Sequence, residues 1–235
     1  MSAVTSSVLF KRGQTAGTTT TDLTVGYTAD NIEGSEIEVD DFDVAALAAV
    51  ALKRGGTSNR RIRLRAVRNM TGQTQYGKLC AVLSRDSKTN FASGTGAATA
   101  VGGVPGSTRF IQIARLGVVA TGGPAKCFPL DEFLPSTGVV DKDICWMVLR
   151  GPAIVKTSFA NMSANVTVGD ALVAVTATTT ACTDATTGGR VEGVDLSATS
   201  HSDNVISRVI GLAMTALTTA QTNTDILVDV SGHLY

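Results

Sequence analysis

The sequence predicts a mainly β protein, with β-sandwich or barrel-like domains, one short helix and an extended N-terminal arm. Three observations predict it. Short segments alternate apolar and other residues with a period of two, as in "RRIRLRAVRN" and "DILVDV". Glycine is abundant, at 24 residues, and punctuates those segments with turn signals. Threonine is used heavily beside Val, Ile and Leu, a combination that favours strands. Only 17% of the chain is charged, which leaves few of the Glu/Lys faces that surface helices carry.

At 235 residues the chain suffices for one large β domain or two small ones, with a core that needs no covalent staples. The formal net charge is zero. A nucleic-acid coat or a membrane-surface protein would carry a basic excess, so neither partner is expected. No stretch approaches the roughly 20 apolar residues that cross a bilayer. The N-terminus shows no basic segment followed by an apolar one, so no secretory signal is expected.

Residues 1–30 read as an extended arm: a short apolar piece, "SSVLF", then Lys11-Arg12-Gly13 and a Thr/Gly-rich run with little to bury. An acidic block follows. In "SEIEVDDF" the alternation puts Glu36, Glu38 and Asp40 on one face and Ile37 and Val39 on the other. "VAALAAVALKR" predicts a helix near 44–54, with Asp43 as N-cap and Gly55-Gly56 as stop.

A basic strand comes next, with Arg61, Arg63 and Arg65 on one side and Ile62, Leu64 and Ala66 on the other. Like charges along one face repel, so an acidic partner within or between subunits is the expected remedy. A plain solvated face and a phosphate-binding row are the alternatives. "YGKLCAVLSR" and "RFIQIARLGVV" predict further strands, separated by a long Gly/Ala/Thr loop over 88–108. "FPLDEFLP" predicts a short turn, and "DICWMVLRGPAIVKTS" an apolar strand broken at Gly151-Pro152. Trp146, the single tryptophan, is expected in the core.

From about Gly151 the rhythm changes to short strands between turn signals, the pattern of a small β-sandwich or barrel. This divides the chain into the arm at 1–30, a β-rich domain with the short helix at 31–150, and a C-terminal β-domain at 151–235. In "NVTVGDALVAV", Gly169-Asp170 reads as a turn: Gly tolerates positive φ, Asp can bond nearby amides, and the apolar period resumes at Ala171-Leu172.

Residues for catalysis are scarce. His201 lies among Ser200, Ser202 and Asp203 on a polar loop, and no nucleophile elbow is present; His233 lies near the end. Asp131-Glu132 and Asp141/Asp143 sit in turns, which are not expected to supply the burial that general acid/base work needs. Cys80, Cys127, Cys145 and Cys182 share no CxxC spacing and read as buried free thiols. The glycosylation pattern at Asn69, Asn161 and Asn165 reads as coincidence in a Thr-rich chain. No catalytic residue, metal ligand or cofactor is expected, and the protein is read as a non-enzyme.

The C-terminal elements "GPAIVK", "VTVGDALVAV", "RVEGV", "VIGLAMTAL" and "ILVDV" resemble the layout of small β-domains in tailed-phage structural proteins, especially head decoration (cement) proteins. Gly169-Asp170, Ala171-Leu172, Ile210-Gly211, Ala213 and Ile226 to Val230 occupy the corresponding places. Where the Ile-Gly-x-Ala strand of that layout leads to an acidic residue, this chain has Met214-Thr215. The resemblance covers roughly 151–235.

It implies a virion structural protein on the outer capsid surface, made in the host cytoplasm, which binds and stabilises a major capsid protein lattice. A homo-oligomer, with a trimer favoured, goes with that reading. The expected contacts are Val8, Leu9, Phe10, Lys11 and Arg12 in the arm. Arg61, Arg63, Arg65 and Glu36, Glu38, Asp40 join them from the charged strands. Another virion role (tail, head fibre or shell subunit) is the alternative, followed by a carbohydrate-binding β module.

Overall fold

The structure, a computed structural model, describes residues 12–16, 34–40, 61–69, 71, 73–84, 115–117, 127–141, 143–158, 166–175, 189–194, 209–217 and 224–231. These residues form strands and their connections, with no helix among them. The expected helix at 44–54 and the loop at 88–108 lie outside the described residues.

Ten strands follow one another: β1 (Glu36–Asp40), β2 (Arg61–Asn69), β3 (Cys80–Ser84), β4 (Arg115–Gly117), β5 (Cys127–Pro129), β6 (Ile144–Lys156), β7 (Ala171–Ala174), β8 (Val191–Val194), β9 (Val209–Ala213) and β10 (Asp225–Val230). Hydrogen bonding runs β5-β3-β4-β2-β6-β10-β9-β7-β8, with β1 attached to β2 off this path. All pairings are antiparallel except β2 with β4.

The path closes on itself twice. Leu130, just past β5, bridges Met147 of β6, and the Asp131 amide donates to the Trp146 carbonyl at 3.0 Å. This completes a ring of β6, β2, β4, β3 and β5. At the other end Thr157 bridges Val191 in parallel, and the Ser158 amide donates to the Val191 carbonyl at 2.9 Å. That completes a second ring of β6, β10, β9, β7 and β8. Closure matters because an open edge presents unpaired amides and carbonyls.

β6 belongs to both rings. Its first half pairs with β2 and its second half, from Gly151, with β10. The sequence predicts a break at Gly151-Pro152; instead the strand runs through all 13 residues. Gly151 takes φ +98, open to glycine, and a Cβ there would lie 2.6 Å from the Arg61 carbonyl oxygen. Pro152, which has no amide hydrogen for a ladder, falls where the ladder changes partner. So the pair bends the strand and hands it from one ring to the other.

One apolar cluster runs through both rings, from Ile62, Leu64, Trp146 and Val148 to Leu172, Ile210, Ile226 and Val228. Trp146 is fully buried, as expected for core. The rings are also tied at the surface. Lys78 Nζ pairs with Asp225, whose other oxygen lies 3.9 Å from Lys156 Nζ, and the Lys156 amide donates to the Lys78 carbonyl at 2.9 Å.

Candidate functional site

The expected charged strands face each other within the chain. β1 pairs with β2 in the register Glu36↔Arg65, Glu38↔Arg63 and Asp40↔Arg61, so the acidic row of one strand meets the basic row of the other. Of the alternatives left open by the sequence, acidic pairing is the one present, here within one chain. Arg63 Nε donates to Glu36 Oε2 at 2.6 Å, Arg65 Nη2 donates to Glu36 Oε1, and Arg61 lies 3.5 Å from Glu38.

The ladder is graded in burial. Arg61 and Glu38 are mostly exposed, and that pair is worth at most about 1 kcal/mol. The Arg65 side chain is only 6% exposed. Its Nε and Nη1 are buried and make no hydrogen bond, so Glu36 is the carboxylate that compensates this cation. Removing such a partner costs far more than breaking a surface pair.

The second assembly of charge lies where 12–16 meets the 131–134 turn. Arg12 Nη2 and Nε donate to Asp131 Oδ1 at 2.8 and 3.1 Å, and the Gly13 amide donates to Oδ2 at 2.7 Å. The Arg12 guanidinium also sits 4.5 Å above the Phe133 ring centroid, a cation–π distance. Gly13 has φ +76 and no room for a Cβ, which would stand 2.8 Å from the Phe133 carbonyl oxygen. The Ala16 amide donates to the Ile144 carbonyl at 2.9 Å. This part of the expected arm is therefore folded onto its own chain. Val8, Leu9, Phe10 and Lys11 lie outside the described residues.

Asp131 and Glu132 correct a sequence expectation, because their turn does bury them. Asp131 is fully buried and Glu132 nearly so. Their oxygens are committed to holding chain segments: Asp131 binds 12–13, and Glu132 Oε2 accepts the Ile154 amide of β6 at 2.6 Å. The signal present in the sequence was the apolar flank on both sides, "FPL" and "FLP". Cys145 lies beside them, and its thiol is pushed far above its ordinary range by burial, then by the charges of Asp131 and Asp143.

Asn69 is a further residue whose role the sequence pattern did not indicate. Fully buried, its Nδ2 donates to the carbonyls of Gln73, Val139 and Val140 at 2.7, 2.9 and 3.2 Å. Its Oδ1 accepts from the Thr71 amide and hydroxyl. A side chain so engaged fastens the end of β2 to the 139–140 segment and offers no free amide for glycosylation. Asn161 and Asn165 lie outside the described residues, as do His201, His233 and Cys182. Cys80, Cys127 and Cys145 are buried free thiols.

Gly169-Asp170 forms the expected turn. Gly169 has φ +96, Asp170 Oδ2 accepts the Thr167 amide at 2.8 Å, and Oδ1 accepts the Thr167 hydroxyl at 2.8 Å. The Gly169 amide donates to the Ala213 carbonyl, and the Ala213 amide donates to the Asp170 carbonyl, both at 2.8 Å. Gly211 stands where β9 passes β10: a Cβ there would overlap the Asp229 carbonyl oxygen and lie 3.0 Å from Val228 Cγ2.

Among the described residues no three His, Cys, Asp or Glu side chains converge as metal ligands, and no helix is long and apolar enough to cross a membrane. The exposed large apolar residues among them are Val140, Val168 and Leu212. No protein-family model, curated protein or solved structure matches the chain.

Proposed function

We propose that the protein is a virion structural protein, a capsid decoration or cement protein that binds and stabilises the lattice of a major capsid protein. The observation that carries the reading is the way the resembling C-terminal elements meet. The Gly169-Asp170 turn is hydrogen-bonded to Ala213 of the Ile-Gly-x-Ala strand, and that strand lies beside the terminal strand β10 in one ring. Residues scattered over 169–230 thus make one packed unit, in which Gly211 is required by a close backbone approach and Asp170 by a turn.

A further feature suits seating on a lattice. Among the described residues the body uses its strand edges in closing into rings, which leaves β1 and the 12–16 segment outside them for contacts with a shell. Many weak contacts of that kind, repeated over a lattice, give strong net retention. The sugar-module alternative loses its largest aromatic, since Trp146 is fully buried and cannot form an exposed stacking platform.

The test is binding of purified protein to emptied, expanded capsid particles that lack it, with copy number per particle read by mass spectrometry. Saturable binding at hundreds of copies is expected. Absence of binding overturns the cement reading, and a handful of copies per native particle points to a tail or fibre component instead.

A further inference from the structure

β1 is the described strand that belongs to neither ring. Both rings close without it, and its ladder is with β2 alone among the described residues. The β2 edge it occupies is a charge-coded receptor: Arg61, Arg63 and Arg65 stand at alternate positions, each opposite an acidic residue. Such an edge accepts an extended strand with carboxylates at matching alternate positions, through main-chain hydrogen bonds and side-chain pairing together. We propose that a second copy of this chain supplies that strand, so that β1 is exchanged between copies in the assembled protein.

Three observations carry the choice of occupant. First, the buried Arg65 needs a carboxylate at the position of Glu36, because its Nε and Nη1 make no hydrogen bond of their own. β1 can therefore be replaced by an equivalent acidic strand but not simply released. Second, Glu-x-Glu-x-Asp occurs in this sequence at 36–40 and nowhere else, so the strand that fits is β1 itself, from whichever copy. Third, β1 and β2 are not joined by a tight hairpin turn, which would force pairing within one chain. The 20 residues 41–60 separate them, many more than a tight hairpin turn uses. Exchange of an identical element is a low-cost route to assembly, because each copy makes the same contacts as before. The inference is independent of what surface the protein sits on.

The experiment uses full-length protein in a Cys182→Ser background, since the other three cysteines are buried. Glu38 and Arg63 are direct cross-strand partners, a placement whose Cα separation suits a disulfide. A size-tagged Glu38→Cys variant is mixed with an untagged Arg63→Cys variant, incubated and oxidised. A mixed disulfide that carries one tagged and one untagged chain is expected, and it should be absent when either cysteine is missing.

A second measurement avoids disulfide chemistry. The Glu38→Arg and Arg63→Glu variants each place like charges opposite in their own ladder, but each complements the other. Light scattering should show their mixture at a higher mass than either variant alone. Exchange is overturned if the mixtures stay uncrosslinked and monomeric. It is equally overturned if the single-chain Glu38→Cys/Arg63→Cys variant closes its bridge while the mixture yields none. Failure of capsid binding leaves this result unchanged, so the two proposals fail separately.

Discussion

Asp131 is the residue on which the N-terminal segment hangs. A fully buried carboxylate needs compensation, and Arg12 with the Gly13 amide provides it from 119 and 118 positions away. Arg12→Ala leaves that charge buried with only the Gly13 and Phe133 backbone amides, and should cost about 3 kcal/mol in urea denaturation. Arg12→Lys, which keeps the charge but loses the two-nitrogen grip on Oδ1, should fall between. A loss below about 1 kcal/mol for Arg12→Ala would show that the backbone amides suffice. Cys145 offers a second check in the same place. Its thiol ionises near its ordinary value in the unfolded chain but resists ionisation in the fold, where burial and the nearby carboxylates raise it. Above pH about 9 the unfolded chain therefore loses this proton while the native one keeps it, and the contribution of Cys145 to stability falls as pH rises, by up to about 1.4 kcal/mol per unit. Cys145→Ala should flatten that slope between pH 8 and 10, whatever it does to stability at pH 7. Of this, only the burial of Cys145 was legible in the sequence. Asp131-Glu132 looks like an ordinary polar turn until a segment more than a hundred residues away is laid over it.

At the scale of elements, the sequence was most informative where one short period decides the matter. "RRIRLR" and "EIEVD" show their strand character, their faces and their complementary charge without any knowledge of the fold, and β1 and β2 pair in the register that matches the charges. The Gly169-Asp170 turn was equally local. The use of Gly151-Pro152 was not, because a bend and a break carry the same residues and only the partners on either side tell them apart. Two glycines of the C-terminal ring separate local from tertiary demands. Gly169 has open space around it but φ +96, so Gly169→Ala should cost only the backbone strain, about 1 kcal/mol. Gly211 has no positive φ, yet a Cβ would overlap the Asp229 carbonyl oxygen, so Gly211→Ala must push β9 from β10 and should cost about 3 kcal/mol. Thermal or urea unfolding of the two variants side by side reads the difference. Equal losses would mean that β9 can shift without cost.

For the whole molecule, ring closure is what the sequence could not show. It rests on single bridges, Leu130 to Met147 and Thr157 to Val191, between residues whose types carry no pairing signal. Closure also decides which parts of the chain are left to bind something else. Residues 12–16 lie outside both rings, but they cover β6 near Ile144 and compensate Asp131, so they belong to the folded body as much as to any arm. The expected arm of residues 1–30 thus contains, at 12–16, a segment that packs on the body. Two truncations separate the roles. Deleting residues 2–11 keeps the Arg12 clamp, so the unfolding midpoint should stay within experimental error while occupancy on particles falls, because Val8, Leu9, Phe10 and Lys11 are gone. Deleting residues 2–16 removes the clamp as well and strands the Asp131 charge, so stability should drop by about 3 kcal/mol or more. Full occupancy after the shorter deletion would remove the arm from the binding surface and leave β1 with the charged ladder as the element that meets the shell.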